Sequence, residues 1–194
     1  MSYLPTSNQT IKTASSVILI ACILPAFTVC RRLPECDGEW VSFTSPQRDF
    51  AIVVPRHLSA VPETNNPPPG NVPRIRFQLL AADNPCKIYF GVERIDFPER
   101  TVSLEPSLAL DGARNTAVSS AHGQLIAEAP IGLEDNPGRE IRISSGQKAL
   151  ATQRMYIVGD HLYVIFAVEQ DTDRTNPSVL RFLNSFQLRG KGAL

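Results

Sequence analysis

The sequence predicts an α+β domain in which helices flank a central antiparallel β-sheet. Residues 155–168 join two β-branched and aromatic runs through Gly159 and Asp160, which suit the tight turn of a β-hairpin. Residues 177–186 instead repeat apolar side chains at intervals of three and four, which is typical of a helix that docks on a sheet. The 194 residues are enough for one domain with a substantial hydrophobic core.

The N-terminal segment, residues 1–30, contains Lys12 and an uncharged apolar stretch over residues 14–29. That stretch is shorter than the roughly 20 residues of a full membrane span and matches the hydrophobic region of a signal peptide. Cys22 follows a lipobox-like Leu-Ile-Ala sequence, and Cys30 lies at a better distance from the start. We expect export with cleavage, or lipidation at one of these cysteines; the alternatives are an uncleaved anchor and a buried cytosolic segment.

Residues 31–38 are predicted to form a short tether. Arg31 and Arg32 would favour a cytosolic C-terminus if the apolar stretch were an uncleaved anchor. After export, Cys36 and Cys86 would be the pair left in an oxidising compartment. A disulfide between them would close a loop of about 50 residues, which is worth roughly 4 kcal/mol in the chain-entropy model. The alternative is two unpaired thiols.

The folded domain is expected to span residues 39–188, followed by a loose tail at 189–194. Its first two strands, 40–43 and 50–54, are rich in aromatic and β-branched side chains. They are predicted to pair across the turn at 45–49, where Ser, Pro and Asp have the chemistry that turns require.

The proline-rich residues 56–73 are expected to be an exposed loop with polyproline character, serving either as a plain linker or as a binding loop. Residues 74–80 and 87–95 then alternate apolar and polar side chains, and we predict that they form an antiparallel hairpin. Residues 106–121 carry the longest helical pattern, with Pro106 suited to its first turn.

Besides the first strand of the hairpin at residues 155–168, three further strands are expected after this helix. Residues 124–129 follow Gly123, which suits a helix exit, and residues 140–143 follow a turn signal at 136–138. The third strand, residues 162–168, is apolar on both faces, so we expect it to lie at the centre of the sheet with a layer on each side.

The charged residues give little support to most kinds of chemistry. Lys and Arg number 19 and Asp and Glu 19, so without Lys12 the chain beyond residue 30 has 18 basic and 19 acidic side chains and a net charge of −1. This near-neutral balance argues against nucleic-acid binding. The sequence lacks phosphate-binding glycine motifs, a GxSxG elbow and zinc-ligand spacings. Each of the three histidines, His57, His122 and His161, stands alone in the sequence. We expect no catalytic residue, cofactor or metal.

One cationic surface is a candidate for binding. Arg74, Arg76, Arg139 and Arg142 lie on predicted strands and could together form an anion-binding or partner-binding patch on the solvent face of the sheet. The alternative is an ordinary solvated strand face whose arginines are neutralised by neighbouring acids.

Five short motifs can be compared with known families: Phe43–Pro46, Leu110–Arg114, Asn136–Glu140, Arg154–Tyr163 and Arg181–Phe186. They resemble those of the PsbP-like fold, which bacterial envelope proteins share with the extrinsic PsbP subunit of photosystem II and a nuclear-import cofactor of Ran. The resemblance covers residues 39–188 and implies a central antiparallel sheet with helices on its faces. It implies no catalytic residue, because the known members of this group mostly bind or brace partners. A shared fold does not by itself transfer a function.

We therefore expect a non-catalytic binding or assembly module at the bacterial cell envelope, periplasmic or membrane-anchored through its N-terminal segment. Its partner would be an unidentified protein or small ligand. One alternative is a hydrolase-like envelope enzyme, which clustering of His122 or His161 with two acids would favour. Another is a carrier of a small apolar ligand, which a dry cavity between sheet and helices would indicate.

Overall fold

A computed structural model describes seven ranges of the chain: residues 38–56, 59–65, 74–80, 87–98, 105–145, 148–170 and 175–190. Within these ranges the strands are β1 (Trp40–Thr44), β2 (Phe50–Pro55), β3 (Ser59–Asn65), β4 (Arg74–Leu80), β5 (Ile88–Asp96), β6 (Gly123–Leu133), β7 (Asn136–Ser145), β8 (Ala149–Val158), β9 (His161–Gln170) and β10 (Gln187–Leu188). The helices are α1 (Pro106–Ser120) and α2 (Pro177–Asn184).

These strands form two antiparallel sheets. The larger sheet has seven strands in the order β3-β4-β5-β9-β8-β7-β6, and the smaller one has three in the order β1-β2-β10. The predicted α+β class is confirmed, as are the pairings of β1 with β2 and of β4 with β5. The sequence did not indicate a separate small sheet, because β10 has only two residues and pairs with β2 far away in the chain.

The β8–β9 hairpin lies at the centre of the large sheet, as predicted. Its strands meet at the pair Val158–His161, and Gly159 takes a positive φ of 57° in the two-residue turn. Side chains alternate between the two faces of a strand. β9 buries Leu162 on one face and Tyr163 and Ile165 on the other. Both faces of this strand are therefore covered.

The inner face of the large sheet packs against the small sheet and α2. Its buried side chains form one cluster that includes Phe50, Phe90 and Phe182. α2 begins as predicted, because Asn176 accepts the N–H of Ser178 at 2.9 Å through its side chain and Pro177 occupies the first turn. Fully burying an aromatic side chain contributes about 1.5–3 kcal/mol, so this cluster is a major source of stability.

The outer face packs against α1. Its buried cluster includes Ile141, Ile143 and Met155, and Leu110 is the buried residue that α1 contributes. The predicted helix is confirmed from Pro106 onward. Its partly buried alanines allow the helix to approach the sheet closely, but they bury little apolar area.

Two local predictions were wrong. Ser59–Asn65 lies within the expected proline-rich loop but forms strand β3, which pairs with β4 at the edge of the sheet. An edge strand tolerates Pro62 because proline removes only one backbone donor there. The turn expected at 136–138 lies earlier, at Glu134 and Asp135, and Gly138 belongs to β7. A Cβ atom at Gly138 would lie 2.5 Å from the ring of Tyr156, so this glycine is needed for packing.

Candidate functional site: a charged network between the two sheets

The turn between β1 and β2 positions a carboxylate at the junction of the two sheets. The hydroxyl of Ser45 accepts the N–H groups of Asp49 and Phe50 at 3.1 and 3.3 Å and donates to the carboxylate of Asp49. Arg48 takes a positive φ of 56° and donates its N–H to the carbonyl of Ser45 at 2.9 Å. These bonds fix the orientation of Asp49, in the turn that the sequence predicted.

Asp49 joins the small sheet to the large one. Its Oδ2 atom accepts hydrogen bonds from Nη1 of Arg94 on β5 at 2.5 Å and from the hydroxyl of Tyr163 on β9 at 2.9 Å. Arg94 and Tyr163 are directly paired in the antiparallel ladder. Because paired residues lie on the same face, both side chains reach toward the turn from neighbouring strands.

The charges continue from Arg94 to the molecular surface. Nη2 of Arg94 donates to Asp96 at 3.0 Å, and Nδ1 of His161 lies 2.8 Å from Asp96 Oδ1. Asp96 and His161 are again ladder partners, and the His161 side chain is 44% exposed. We call Ser45, Asp49, Arg94, Asp96, His161 and Tyr163 the junction network.

Burial and mutual bonding set the protonation states within the junction network. Burial alone would raise the pKa of Asp49, but hydrogen bonds from Ser45, Arg94 and Tyr163 and the charge of Arg94 hold this pKa below its ordinary value of 3.8. Burial, together with the neighbouring Asp49, raises the pKa of the Tyr163 hydroxyl. Although burial alone would lower it, the pKa of Arg94 rises because Asp96 and Asp49 stabilise the cation. Asp49 and Arg94 are therefore charged and Tyr163 is neutral around pH 7.

Sequence reasoning did not find this network. It assigned Asp49 to a turn, treated His161 as a histidine that stands alone, and did not single out Arg94, Asp96 or Tyr163. The alternation within β5 places Arg94 and Asp96 on one face, and the alternation within β9 does the same for His161 and Tyr163. This pattern indicates a shared site only when the two strands are known to be neighbours. The register that brings Asp96 opposite His161 joins residues 65 positions apart.

The structure does not bring the four predicted arginines together. Arg74 and Arg76 lie on β4, whereas Arg139 and Arg142 lie on β7, and three strands lie between β4 and β7 in the sheet. Four strand spacings of roughly 4.8 Å separate β4 from β7 by about 19 Å. Arg139 and Arg142 are also three residues apart in a regularly paired strand, so they point to opposite faces. The side chains of Arg74 and Arg76 are outside the description.

Arg139 belongs to a separate ion-pair cluster on the outer face, which we call the helix clamp. It pairs with Asp111 on α1 and, at 2.8 Å, with Glu128 on β6, while Arg114 lies 3.1 Å from the same glutamate. The hydrogen bond from Arg139, followed by the charges of Arg139 and Arg114, holds the pKa of Asp111 below its ordinary value despite some desolvation. The helix clamp attaches the weakly buried α1 to the sheet.

The remaining candidate residues divide into two groups. His122 is exposed just after α1, with a positive φ of 45°, and none of the residue clusters above includes it. The lipidation candidates Cys22 and Cys30 and the disulfide candidates Cys36 and Cys86 are outside the described ranges. His57 is outside them as well. In the ranges that the structure covers, no group of three His, Cys, Asp or Glu residues could hold a metal ion, and neither helix is long and apolar enough to cross a membrane.

Comparison with known proteins gives a distant likeness. No family model matches the sequence, and no curated protein matches it either. Among solved structures, cyanobacterial PsbP (CyanoP) from Synechocystis sp. PCC 6803 aligns with a TM-score of 0.55 and 12% identity over 81% of this chain and 99% of that one. The fold is PsbP-like.

The likeness to this PsbP-like structure shows the fold alone, because 12% identity leaves the side chains of the two proteins largely different. A protein of unknown function from Pseudomonas aeruginosa, PA94, aligns with a TM-score of 0.38 and 12% identity, over 70% of this chain and 86% of that one. The role of the junction network must therefore be argued from its own geometry.

Proposed function

We propose that the PsbP-like domain is a non-catalytic binding or assembly module, held at a bacterial cell envelope by its N-terminal segment. The junction network is the observation that supports this proposal most. Its ionisable side chains bond to one another across the two sheets, and they stabilise the fold in doing so. The partner of such a module is an unidentified protein or a small ligand that binds without covalent chemistry.

The protonation states in the network support a structural role for these side chains. An efficient general acid or base has a pKa near the working pH. The pKa of Asp49 is instead lowered by its hydrogen bonds and that of Tyr163 is raised by burial, so both move away from neutrality. Arg94 remains a cation bonded to two carboxylates. These groups suit a rigid scaffold better than proton transfer.

Location and partner can be tested together by native mass spectrometry of the full chain extracted from the envelope fraction, with and without reductant. The proposal expects a stoichiometric partner or ligand on the chain, and an added diacylglycerol mass if Cys22 or Cys30 is lipidated. A gain of two hydrogens on reduction would report the disulfide between Cys36 and Cys86. Bare, uncleaved chain in the cytosolic fraction would contradict the envelope assignment.

An envelope enzyme is the second candidate, and one observation favours it. Asp96 lies 2.8 Å from Nδ1 of His161, and a carboxylate in that position can orient an imidazole so that its other nitrogen acts as a base. The same carboxylate is shared with Arg94, however, and the hydroxyl of Ser45 is bonded to Asp49 and not to His161. The described network thus has a dyad but no nucleophile beside it.

The two candidates differ in what the His161→Gln variant does. Turnover of p-nitrophenyl esters and phosphates would be measured for the wild-type chain, for this variant and for His122→Gln, an exposed histidine outside the network. The binding-module proposal expects the three proteins to be equally inactive. Turnover by the wild type and by His122→Gln that falls about 100-fold or more in His161→Gln would establish the enzyme instead.

A further inference from the structure

Three polar side chains on the inner face are not explained by the junction network. Thr152 on β8 and Glu169 on β9 are only 1% and 2% exposed. Within the described residues, the hydroxyl of Thr152, Oε2 of Glu169 and Nε of Arg142 on β7 are buried and have no hydrogen-bond partner. A buried polar atom without a partner loses its bonds to water and gains none in exchange, so three such atoms on neighbouring strands require an explanation.

The strand register brings these three residues together. Arg142 is directly paired with Thr152 in the β7–β8 ladder. On the next strand, Glu169 pairs with Leu150, two residues from Thr152, so Glu169 and Thr152 are diagonal neighbours. Side-chain alternation places all three on the inner face, where the backbone positions of diagonal neighbours lie about 7–8 Å apart. At that spacing the three side chains can direct their polar atoms toward one shared molecule.

The start of α2 is bonded to one member of this cluster. The other carboxylate oxygen of Glu169, Oε1, accepts the backbone N–H of Asn176 at 2.7 Å, and Asn176 is itself buried. Asn176 then caps α2 through Ser178. Glu169 therefore lies at the start of the helix, and all three unpaired atoms are inaccessible to bulk solvent.

The donors and acceptors define the ligand. Nε of Arg142 offers one donor, Oε2 of Glu169 offers acceptor positions, and the Thr152 hydroxyl offers both. A metal cation would be repelled by the guanidinium group, and an anion would be repelled by an ionised Glu169. A molecule that accepts one hydrogen bond and donates two fits all three groups, and buried waters typically make about three such bonds.

We propose that Arg142, Thr152 and Glu169 form a binding site for one ordered water molecule, which joins β7, β8 and β9. The water accepts from Arg142 Nε, donates to Glu169 Oε2 and bonds to the Thr152 hydroxyl. This site stabilises the docking of α2 and is independent of the binding role proposed for the domain.

The full chain labelled with ¹⁵N tests the site by water–amide NOE and ROE spectra, together with thermal unfolding. The wild type is expected to show a long-lived water beside the amide of Thr152. Thr152→Ser keeps the hydroxyl and should retain this signal. Thr152→Val keeps the shape but removes the hydroxyl, so it should lose the signal and lower the Tm by about 2–4 °C.

Two results would overturn the proposal. If the wild type gives no water signal and Thr152→Val raises the Tm, the space is dry and the hydroxyl was an unpaired polar group. If Thr152→Val lowers the Tm but the wild type gives no water signal, a side chain from elsewhere in the protein fills the space.

Discussion

The two faces of the seven-stranded sheet are stabilised by different means. The inner face holds large aromatic side chains in contact, with ring centroids 4.8 Å apart for Phe90 and Phe182 and 5.5 Å apart for Phe50 and Phe186. The outer face is covered by the alanine-rich α1, which buries Leu110 and is attached by the surface charges of the helix clamp. The inner face therefore carries most of the packing energy.

The difference extends to the polar groups. The junction network and the proposed water site are both on the inner side. At the centre of the network the side chains of Arg94 and Asp49 are 14% and 21% exposed, whereas those of Arg139 and Asp111 in the helix clamp are 17% and 42% exposed. Enclosed polar bonds are costly to break because an unpaired group is left behind, whereas exposed ion pairs contribute little. Matched substitutions on the two faces can test this contrast.

The largest effect is expected from truncating the inner core. Phe182→Ala should lower the free energy of unfolding by about 3–5 kcal/mol, because it removes a fully buried ring in contact with Phe90. Leu110→Ala on α1 should cost less, about 2–3 kcal/mol, because the thin helix layer can settle onto the sheet. Urea unfolding followed by circular dichroism measures both. Equal losses would show that the two faces contribute alike.

The charged clusters should differ in the same direction. Asp49→Asn weakens the bonds to Arg94 and Tyr163 and should cost about 1–2 kcal/mol at pH 7, allowing for the partial exposure of the site. Asp111→Asn, in the helix clamp, is the matched control and should change the midpoint of urea unfolding very little. A larger shift for Asp111→Asn than for Asp49→Asn would reverse the ranking of the two clusters.

The pH dependence follows from the lowered pKa of Asp49. Because hydrogen bonds and Arg94 favour the ionised form in the folded state, Asp49 contributes stability that is fully present above its unfolded pKa of about 3.8. This contribution is lost as the pH falls through the lower folded pKa. The difference in stability between wild type and Asp49→Asn should therefore shrink below pH 4, as urea midpoints at several pH values would show.

How far the sequence predicts this fold depends on the range of the interaction. The β8–β9 hairpin, the start of α1 at Pro106 and the stripe of α2 are local patterns, and each was predicted at its correct place. The pairing of β5 with β9, and of β10 with β2, joins distant segments and left no local signal. The junction network and the Arg142–Thr152–Glu169 cluster depend on such pairings, so the sequence could not indicate them.

Glu169 provides an opposite pH test on the inner face. Burial raises its pKa above 4.5, although the N–H of Asn176 and the charge of Arg142 oppose the shift. A raised folded pKa gives stability that is fully present below the unfolded pKa and is lost as the pH rises through the folded value. Glu169→Gln, which keeps an acceptor for Asn176, should therefore gain stability relative to wild type as the pH rises above about 4.5. A constant difference in urea midpoints from pH 4 to 8 would contradict this.

The smallest effect on stability is expected for Pro130 on β6, the strand at one edge of the seven-stranded sheet. Leu133 and Asn136 close a two-residue turn, so their pair is hydrogen-bonded and bonded pairs alternate from there along β6. Pro130 then falls in a non-bonded pair with Arg139, and its nitrogen, which carries no hydrogen, faces the side of β6 that pairs with no other described strand. Proline at such a position prevents another strand from pairing there.

Pro130→Val restores an outward donor and should promote self-association with little change in the urea midpoint. Pro137→Val, on the paired strand β7, should not promote self-association. Sedimentation velocity at increasing concentration measures this, and equally monomeric variants would show that the proline does not protect this edge.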